Sequence, residues 1–396
     1  MAGFKIRDEM NGIAEAPGKV WFWDLEDAVI DAERCIQCGT CVAVCPSDSI
    51  GIGDDDLPRL VKMCTGCSLC WDFCPRGGLR HETTWKLTGN GDGNGAHGLA
   101  AVGERYSART RSTIRGVQDG GVVSTILIAL LEAGELDGAL LARPSDTQPW
   151  KGEAFLARTP AEVIECAGSF YNQTMALGHL DLEGLDLPAE PRIAVVGTPC
   201  EIEGIKAMQA RPWYWGSAKV EAVVLTIALL CTKSFNYEKL MVGEIQRKRG
   251  IPLDRIGRVD VIRGKLIVQD HQGATILEEP IRDFHGAALK GCDECADFLG
   301  GAADLSVGSV GSSDGWSSLL VRTDSGRAAV RRTRQRLELR DLERPEALEK
   351  LAALDKRVAF KHLARKFDPQ APLFVDYAEH LRAYSDTDRA PVGTDR

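Results

Sequence analysis

Cys35-Ile-Gln-Cys38-Gly-Thr-Cys41-Val-Ala-Val-Cys45-Pro46 and Cys64-Thr-Gly-Cys67-Ser-Leu-Cys70-Trp-Asp-Phe-Cys74-Pro75 share one spacing, C-x2-C-x2-C-x3-C-P. Two residues between thiols let three sulfurs of one loop reach three irons of one cube. The fourth cysteine of each run opens a helix that leads to the other cube. The spacing therefore predicts two four-iron clusters. Cys35, Cys38, Cys41 and Cys74 hold one; Cys64, Cys67, Cys70 and Cys45 hold the other. Pro46 and Pro75 turn the chain after each run without needing a backbone N–H. The competing reading is zinc ribbons or disulfides. Zinc sites usually show two separated C-x2-C pairs, not four cysteines packed into one short run.

The same spacing is that of bacterial-type ferredoxins with two [4Fe-4S] clusters, so residues 1–88 are expected to form an α+β ferredoxin-like domain. A domain this small needs metal staples, and the thiol–iron bonds supply them. Trp21, Phe22 and Trp23 are available to cover it. Gly89 to Gly98 reads as a flexible linker, extended here to residues 89–112. No strand precedes that stretch and no Lys follows it, which argues against a phosphate loop.

Working outward, the 396-residue chain has room for two or three domains, with 44% hydrophobic residues for their cores. A net charge of -9 argues against a general nucleic-acid or membrane-surface role. No apolar stretch reaches the ~20 residues needed to span a bilayer. The first residues show no signal-peptide core. Thirteen cysteines, eight of them in the two runs, point to a reducing, cytoplasmic setting.

Residues 113–345 read as an α/β domain. Asp119-Gly120-Gly121 opens a buried helix, Val122 to Ala133, with Asp119 as one candidate cap. Thr159-Pro160-Ala161-Glu162 is a capping box with proline at the first helical position. Strands are expected at Asp137–Arg143, Arg192–Val196, Lys219–Leu230, Ala303–Val307 and Ser317–Thr323, with a hairpin over Val259–Arg263 and Leu266–Asp270. Residues 346–396 are expected to be a helical extension, with Leu351, Leu354, Val358 and Leu363 at helix-like spacing.

Five cysteines lie outside the runs. Cys292-Asp-Glu-Cys295 is a metal-type pair. Cys200 follows one expected strand and Cys231 ends another. If those strands are parallel neighbours, both thiols sit at the C-terminal sheet edge, where α/β folds place ligands. Cys200, Cys231, Cys292 and Cys295 then converge on a third site, most simply a third [4Fe-4S] cluster. Zinc, or buried thiols with a redox pair, is the alternative. Cys166 sits in a helix and reads as a packing residue.

Four ordered blocks carry a family resemblance: Gln118-Asp119-Gly120-Gly121-Val122; Gly197-Thr198-Pro199-Cys200; Cys292-Asp-Glu-Cys295-Ala-Asp-Phe298; and Ala303 to Gly311 with Gly315-Trp316 and Arg322-Thr323. On these, the chain resembles the beta subunits of coenzyme F420-reducing hydrogenases and F420H2 dehydrogenases. The leading two-cluster module resembles the F420H2 dehydrogenase input subunit more than the hydrogenase subunit. It also resembles the front half of F420-dependent sulfite reductases. The resemblance implies an oxidoreductase with FAD, three [4Fe-4S] clusters and coenzyme F420 as substrate, passing electrons to partner subunits or a protein acceptor. It also implies that Cys200, Cys231, Cys292 and Cys295 hold the third cluster. The same family includes reductases of chlorophyll derivatives, so a stand-alone reductase of an organic substrate is the alternative. Members often carry Ser-Lys-Tyr where this chain has Ser169-Phe170-Tyr171, which removes a cation that would face an anionic carrier.

A flavin is the expected converter between hydride carrier and one-electron clusters. Its candidate contacts are Gly120, Gly121, Ser169, Tyr171, Gly197, Thr198, Gly308, Ser309, Gly311, Trp316 and Arg322. Glycine N–H groups at a helix start suit a pyrophosphate, and Gly308 to Gly311 suits a wall against a flat ring. Plain turns, core aromatics and a strand-surface Arg are the ordinary readings of the same residues. The basic run Arg331, Arg332, Arg334, Arg336 and Arg340 reads as a solvated helix face, with an acidic partner as the sharper alternative.

Overall fold

The computed structural model describes residues 21–67, 69–76, 99, 102–209 and 218–363. The Gly89–Gly98 stretch and the chain beyond residue 363 lie outside these. The N-terminal module has few regular elements: helices Phe22–Leu25, Thr40–Ala43 and Leu69–Phe73, and a hairpin of β1 (Ile50–Ile52) and β2 (Pro58–Leu60). Both cysteine runs are shaped by one backbone device. The second residue after the first cysteine takes a left-handed conformation, Gln37 at φ 53° and Gly66 at φ 67°. That turn aims the Gln37 and Gly66 N–H groups back at the sulfurs of Cys35 and Cys64, at 3.4 Å each.

The body is built on one mixed sheet. Its strands are β3 (Glu104–Thr110), β4 (Gly138–Pro144), β5 (Gly152–Ala157), β6 (Ile193–Gly197) and β7 (Val223–Leu229). A three-stranded antiparallel sheet of β8 (Ile256–Ile262), β9 (Lys265–Asp270) and β10 (Thr275–Pro280) stands apart from it. The chain then returns to the large sheet with β11 (Leu305–Gly308), β12 (Ser317–Val321) and β13 (Leu337–Asp341). The spatial order is β13-β3-β12-β11-β7-β6-β4-β5. β4, β6, β7 and β11 run parallel; the flanking strands pair antiparallel.

Strand alternation sends side chains to two cores. Ile193 and Val195 of β6 face a core shared with the helix Pro199–Gln209 and with the N-terminal module. Ala194 faces the opposite core, built with Val122–Glu132 and Asp324–Thr333. The first core runs without a break from Phe22, Val44, Trp71 and Phe73 of the module to Leu177, Ile202 and Ile205 of the body. The module is thus packed against the body, and glycines permit the close approach. A Cβ on Gly39 would lie 2.6 Å from the Met175 carbonyl oxygen, and one on Gly291 would lie 2.0 Å from that of Arg34.

Several expectations need correction. The linker assigned to 89–112 contains β3, which sits between β12 and β13 inside the large sheet. Its sequence, Glu-Arg-Tyr-Ser-Ala-Arg-Thr, is polar because only Ser107 and Ala108 are fully buried, so the burial signal is short. The expected strand from Lys219 begins at Val223, after a 3-10 turn over Val220–Ala222. The helical C-terminal region is preceded by β13, and its helix Pro345–Leu363 joins a core with Phe298 and Leu320 through Leu348 and Ala352. Asp119 does not cap the helix at Val122: Gly121 holds the N-cap position in a left-handed conformation, with no side-chain cap. The Thr159 capping box forms as expected.

Candidate metal centres and electron path

The two runs produce two thiol groups. Cys41 lies within electrostatic reach of Cys35, Cys38 and Cys74, and more weakly of Cys70. Cys70 lies within reach of Cys67, Cys64 and Cys45, and more weakly of Cys74. In each case the nearer three follow the crossed grouping expected from the spacing. Besides the two left-handed turns, Ser49 N–H donates to Cys45 Sγ at 3.3 Å and Arg76 N–H to Cys74 Sγ at 3.4 Å. Donors of this kind favour electron-rich sulfur and tune iron–sulfur sites. Burial pushes the Cys38 thiol up to about 12 and also raises Cys35, Cys41 and Cys70.

The groups differ in setting. Two thiols of each group are buried, Cys38 and Cys41 of the inner and Cys45 and Cys70 of the outer, but Cys67 of the outer group is exposed. Around the outer run, Met63 is 82% exposed and Val61 63%.

β6 and β7 pair in parallel, Gly197 opposite Ala228, so Cys200 and Cys231 leave the sheet at one edge. The 3-10 segment Lys290–Glu294 brings Cys292 and Cys295 to them. Cys231 is in reach of Cys292 and Cys295, and Cys200 of Cys295. Burial raises all four thiols, that of Cys295 to about 12. Ser234 N–H donates to Cys292 Sγ at 3.5 Å, and Gln173 Nε2 to Cys200 Sγ at 3.5 Å. Thr198 Oγ1 lies 3.0 Å from the same Cys200 sulfur. Cys166 stays apart, half-buried in the opposite core.

Among the described residues, no three His, Cys, Asp or Glu side chains close on one point as the ligands of a single ion do. Thiols that each hold a different iron of a cube need not close so tightly. An all-thiol donor set with N–H groups aimed at the sulfurs fits an iron–sulfur cube.

The third group adjoins the inner one. Cys200 is in reach of Cys38, and the helix Pro199–Gln209 packs on Thr40–Ala43 with Gly204 against Thr40. Two side chains missed in the sequence tie the seam. Arg34 makes a bidentate pair with Glu294, 2.8 and 2.9 Å, and donates to the Arg76 carbonyl at 2.8 Å. Arg76, 3% exposed, donates from Nε to the Gly291 carbonyl at 2.6 Å and from Nη1 to that of Pro75 at 2.8 Å.

Most of the expected flavin contacts have partners within the protein. A Cβ on Gly120 would meet the Ala108 carbonyl at 2.4 Å, and its N–H donates to Ser317 Oγ. Gly197 faces Glu201, Gly308 faces Leu230, and Gly311 faces Ser318 and Leu348. Thr198 is held by Glu201 and Gln173. The guanidiniums of Arg340 and Arg109 lie over the Trp316 ring, 3.6 and 4.5 Å from its centroid. Arg322 donates to Ser306 Oγ and the Leu299 carbonyl, both at 2.7 Å, and burial lowers it to about 10. Ser309 lies in the loop after β11; its carbonyl accepts from Ser312 N–H. A Cβ on Gly121 would meet Thr110 at 3.1 Å, and the Gly121 carbonyl accepts from Thr125 Oγ1; Tyr171 packs against the core around Phe235 and Phe284. That leaves Ser169. Near Tyr171 stand Asp119, Asp260 and Arg258. Burial, then Asp260, raises Asp119 to about 6. In the basic run, Arg332 pairs with Glu135, Arg336 with Glu132 and Arg340 with Glu343.

Residues 191–345 match the model for the C terminus of the coenzyme F420 hydrogenase/dehydrogenase beta subunit, and 105–181 match the model for its N-terminal part. Residues 28–79 match a 4Fe-4S dicluster domain. The beta subunit of the coenzyme F420 hydrogenase of Methanothermobacter thermautotrophicus is 30% identical over 286 residues, 69% of this chain and 98% of that one. The chain belongs to the coenzyme F420 hydrogenase/dehydrogenase beta-subunit family. Within it, a subunit of the F(420)H(2) dehydrogenase of Methanosarcina mazei is 29% identical over 84% of this chain and 92% of its own length. The coenzyme F420-dependent sulfite reductase of Methanocaldococcus jannaschii is 29% identical over 87% of this chain, which spans only 52% of that protein. A chain of the F420-reducing [NiFe] hydrogenase complex from Methanosarcina barkeri superposes with a TM-score of 0.61 at 25% identity, covering 66% of this chain and 91% of that one. Like these relatives, this family member is an oxidoreductase. Among the described residues, no helix is long and apolar enough to cross a membrane.

Proposed function

We propose that this chain exchanges a hydride with coenzyme F420 at a bound flavin and delivers single electrons to a partner subunit or protein acceptor. The observation that carries the reading is the junction of Cys200 with Cys38. It sets the body's thiol group beside the inner group of the module, and the outer group then ends at exposed Cys67. When bound, the flavin and the clusters supply conversion between a two-electron hydride and single electrons.

The chain's own residues do the rest. Cys200, Cys231, Cys292 and Cys295 hold one cluster; Cys35, Cys38, Cys41 and Cys74 the next; Cys64, Cys67, Cys70 and Cys45 the last. The shared core packs the module's cysteine runs against the body. For the flavin, the contact not taken up by packing is Ser169, two residues from Tyr171, near which Asp119, Arg258 and Asp260 gather.

The test is anaerobic oxidation of F420H2 by the purified chain with an artificial one-electron acceptor, after its flavin content is measured. Yellow protein that turns over supports the proposal. Protein with iron but no flavin would be a pure electron conduit. Flavin-containing protein inert toward F420H2 would instead be a reductase of another organic substrate.

A further inference from the structure

We propose that Arg76 is a positioning residue that holds a fixed positive charge between the two inner clusters and raises the reduction potential of both. The inference rests on the reading that these thiol groups hold clusters.

Arg76 touches both sides of the seam. Its backbone N–H donates to Cys74 Sγ at 3.4 Å. Its side chain crosses to the body and donates to the Gly291 carbonyl, next to Cys292, at 2.6 Å. The remaining bond, from Nη1 to the Pro75 carbonyl, is also to a neutral acceptor. Among the described residues, no carboxylate forms an ion pair with it. The nearby Glu294 is held in a bidentate pair by Arg34. A guanidinium that is 3% exposed and has only carbonyl acceptors is costly, because buried charge without a counter-charge is strongly disfavoured. The groups that can offset it are Cys295, then Glu294, then Cys200 and Cys292 on the body side, with Cys35 on the module side; Glu294 is already paired with Arg34, which leaves the sulfurs.

Four thiolates around a cube carry net negative charge, and charge near a cluster sets its potential. Reduction adds one electron and one negative charge to the cluster. No bond forms or breaks, and Arg76 keeps its proton throughout. A fixed cation nearby favours the reduced state, more so where water is excluded. The outer group, with exposed Cys67, lacks this neighbour. Arg76 therefore makes the inner pair an electron reservoir relative to the outer cluster.

A purely mechanical role, pinning the module through the Gly291 carbonyl, makes a different prediction. The experiment is an EPR-monitored redox titration of the full chain as wild type, Arg76→Gln and Arg76→Lys, with iron and sulfide counted in each. Gln keeps a donor and loses the charge; Lys keeps the charge and loses the fork. In Arg76→Gln, both inner clusters should become at least tenfold harder to reduce, about 59 mV for one electron, while the outer cluster stays put. Arg76→Lys should restore most of the shift. The proposal is overturned if Arg76→Gln leaves the inner potentials unchanged, moves all three alike, or is matched by Arg76→Lys. If Arg76→Gln loses iron, Arg76→Lys alone decides, since retained potentials in it support the charge and lowered ones overturn it. Wild-type protein with about eight irons instead of about twelve, at four per cube, would defeat the cluster reading itself, separately from Arg76.

Discussion

The two cysteine runs have the same spacing and the same left-handed turn, yet they sit in different surroundings. The inner group, Cys35, Cys38, Cys41 and Cys74, is walled by body residues: Met175 and Gly178 against Gly39, Gly204 against Thr40, and Gly291 against Arg34. The outer group, with exposed Cys67, is flanked by Val61 and Met63 near the surface. Spacing decides which thiols group together. The rest of the fold decides how dry the site is and which charges it feels, and so what each group can do in electron transfer.

The largest effect expected from breaking this contrast is at the seam. Gly39→Ala places a methyl 2.6 Å from the Met175 carbonyl oxygen and 2.8 Å from the Gly178 nitrogen, at a φ of +80°. Left-handed strain and overpacking together should cost about 3 kcal/mol. In the outer hairpin, a Cβ at Gly53 meets mainly the movable Arg59 side chain, at 2.6 Å. Gly53→Ala should cost under about 1 kcal/mol. Anaerobic chemical denaturation of the two variants measures the difference. Equal losses would mean that the inner run is no more tightly docked than the outer.

The smallest effect belongs to the exposed side. Met63→Ser should change stability by no more than about 0.5 kcal/mol and leave all cluster signals intact. It should slow only the reduction of a protein acceptor that docks at the outer run, measured against unchanged reduction of a small artificial one. Equal rates with the protein acceptor would place its docking elsewhere.

The cysteine groupings were legible because their causes are local or topological. Eight thiols are fixed by short spacing. Cys200 and Cys231 follow from two apolar strands that turn out parallel. β3 was not legible, because its half-polar sequence is buried only by β12 and β13, far away in the chain. Arg34 and Arg76 sit beside the first and last cysteines of the inner group, but their partners, Glu294 and Gly291, are more than two hundred residues away. The glycine-rich blocks misled for a related reason. Sequence shows that Gly120, Gly308 and Gly311 need close approach, but not to what; in the fold it is to Ala108, Leu230 and Ser318.

The central claim is that the Cys35 group stands between the body's thiols and the outer group. The most direct measurement is EPR of the fully reduced chain, wild type against Cys231→Ser, with iron counted. The account predicts about four fewer irons and loss of the part of the Cys35 cluster's magnetic broadening that comes from the body's cluster, its coupling to the outer cluster remaining, with the outer cluster's signal unchanged. A variant that keeps all its iron, or one in which the outer cluster alone sharpens, would contradict it.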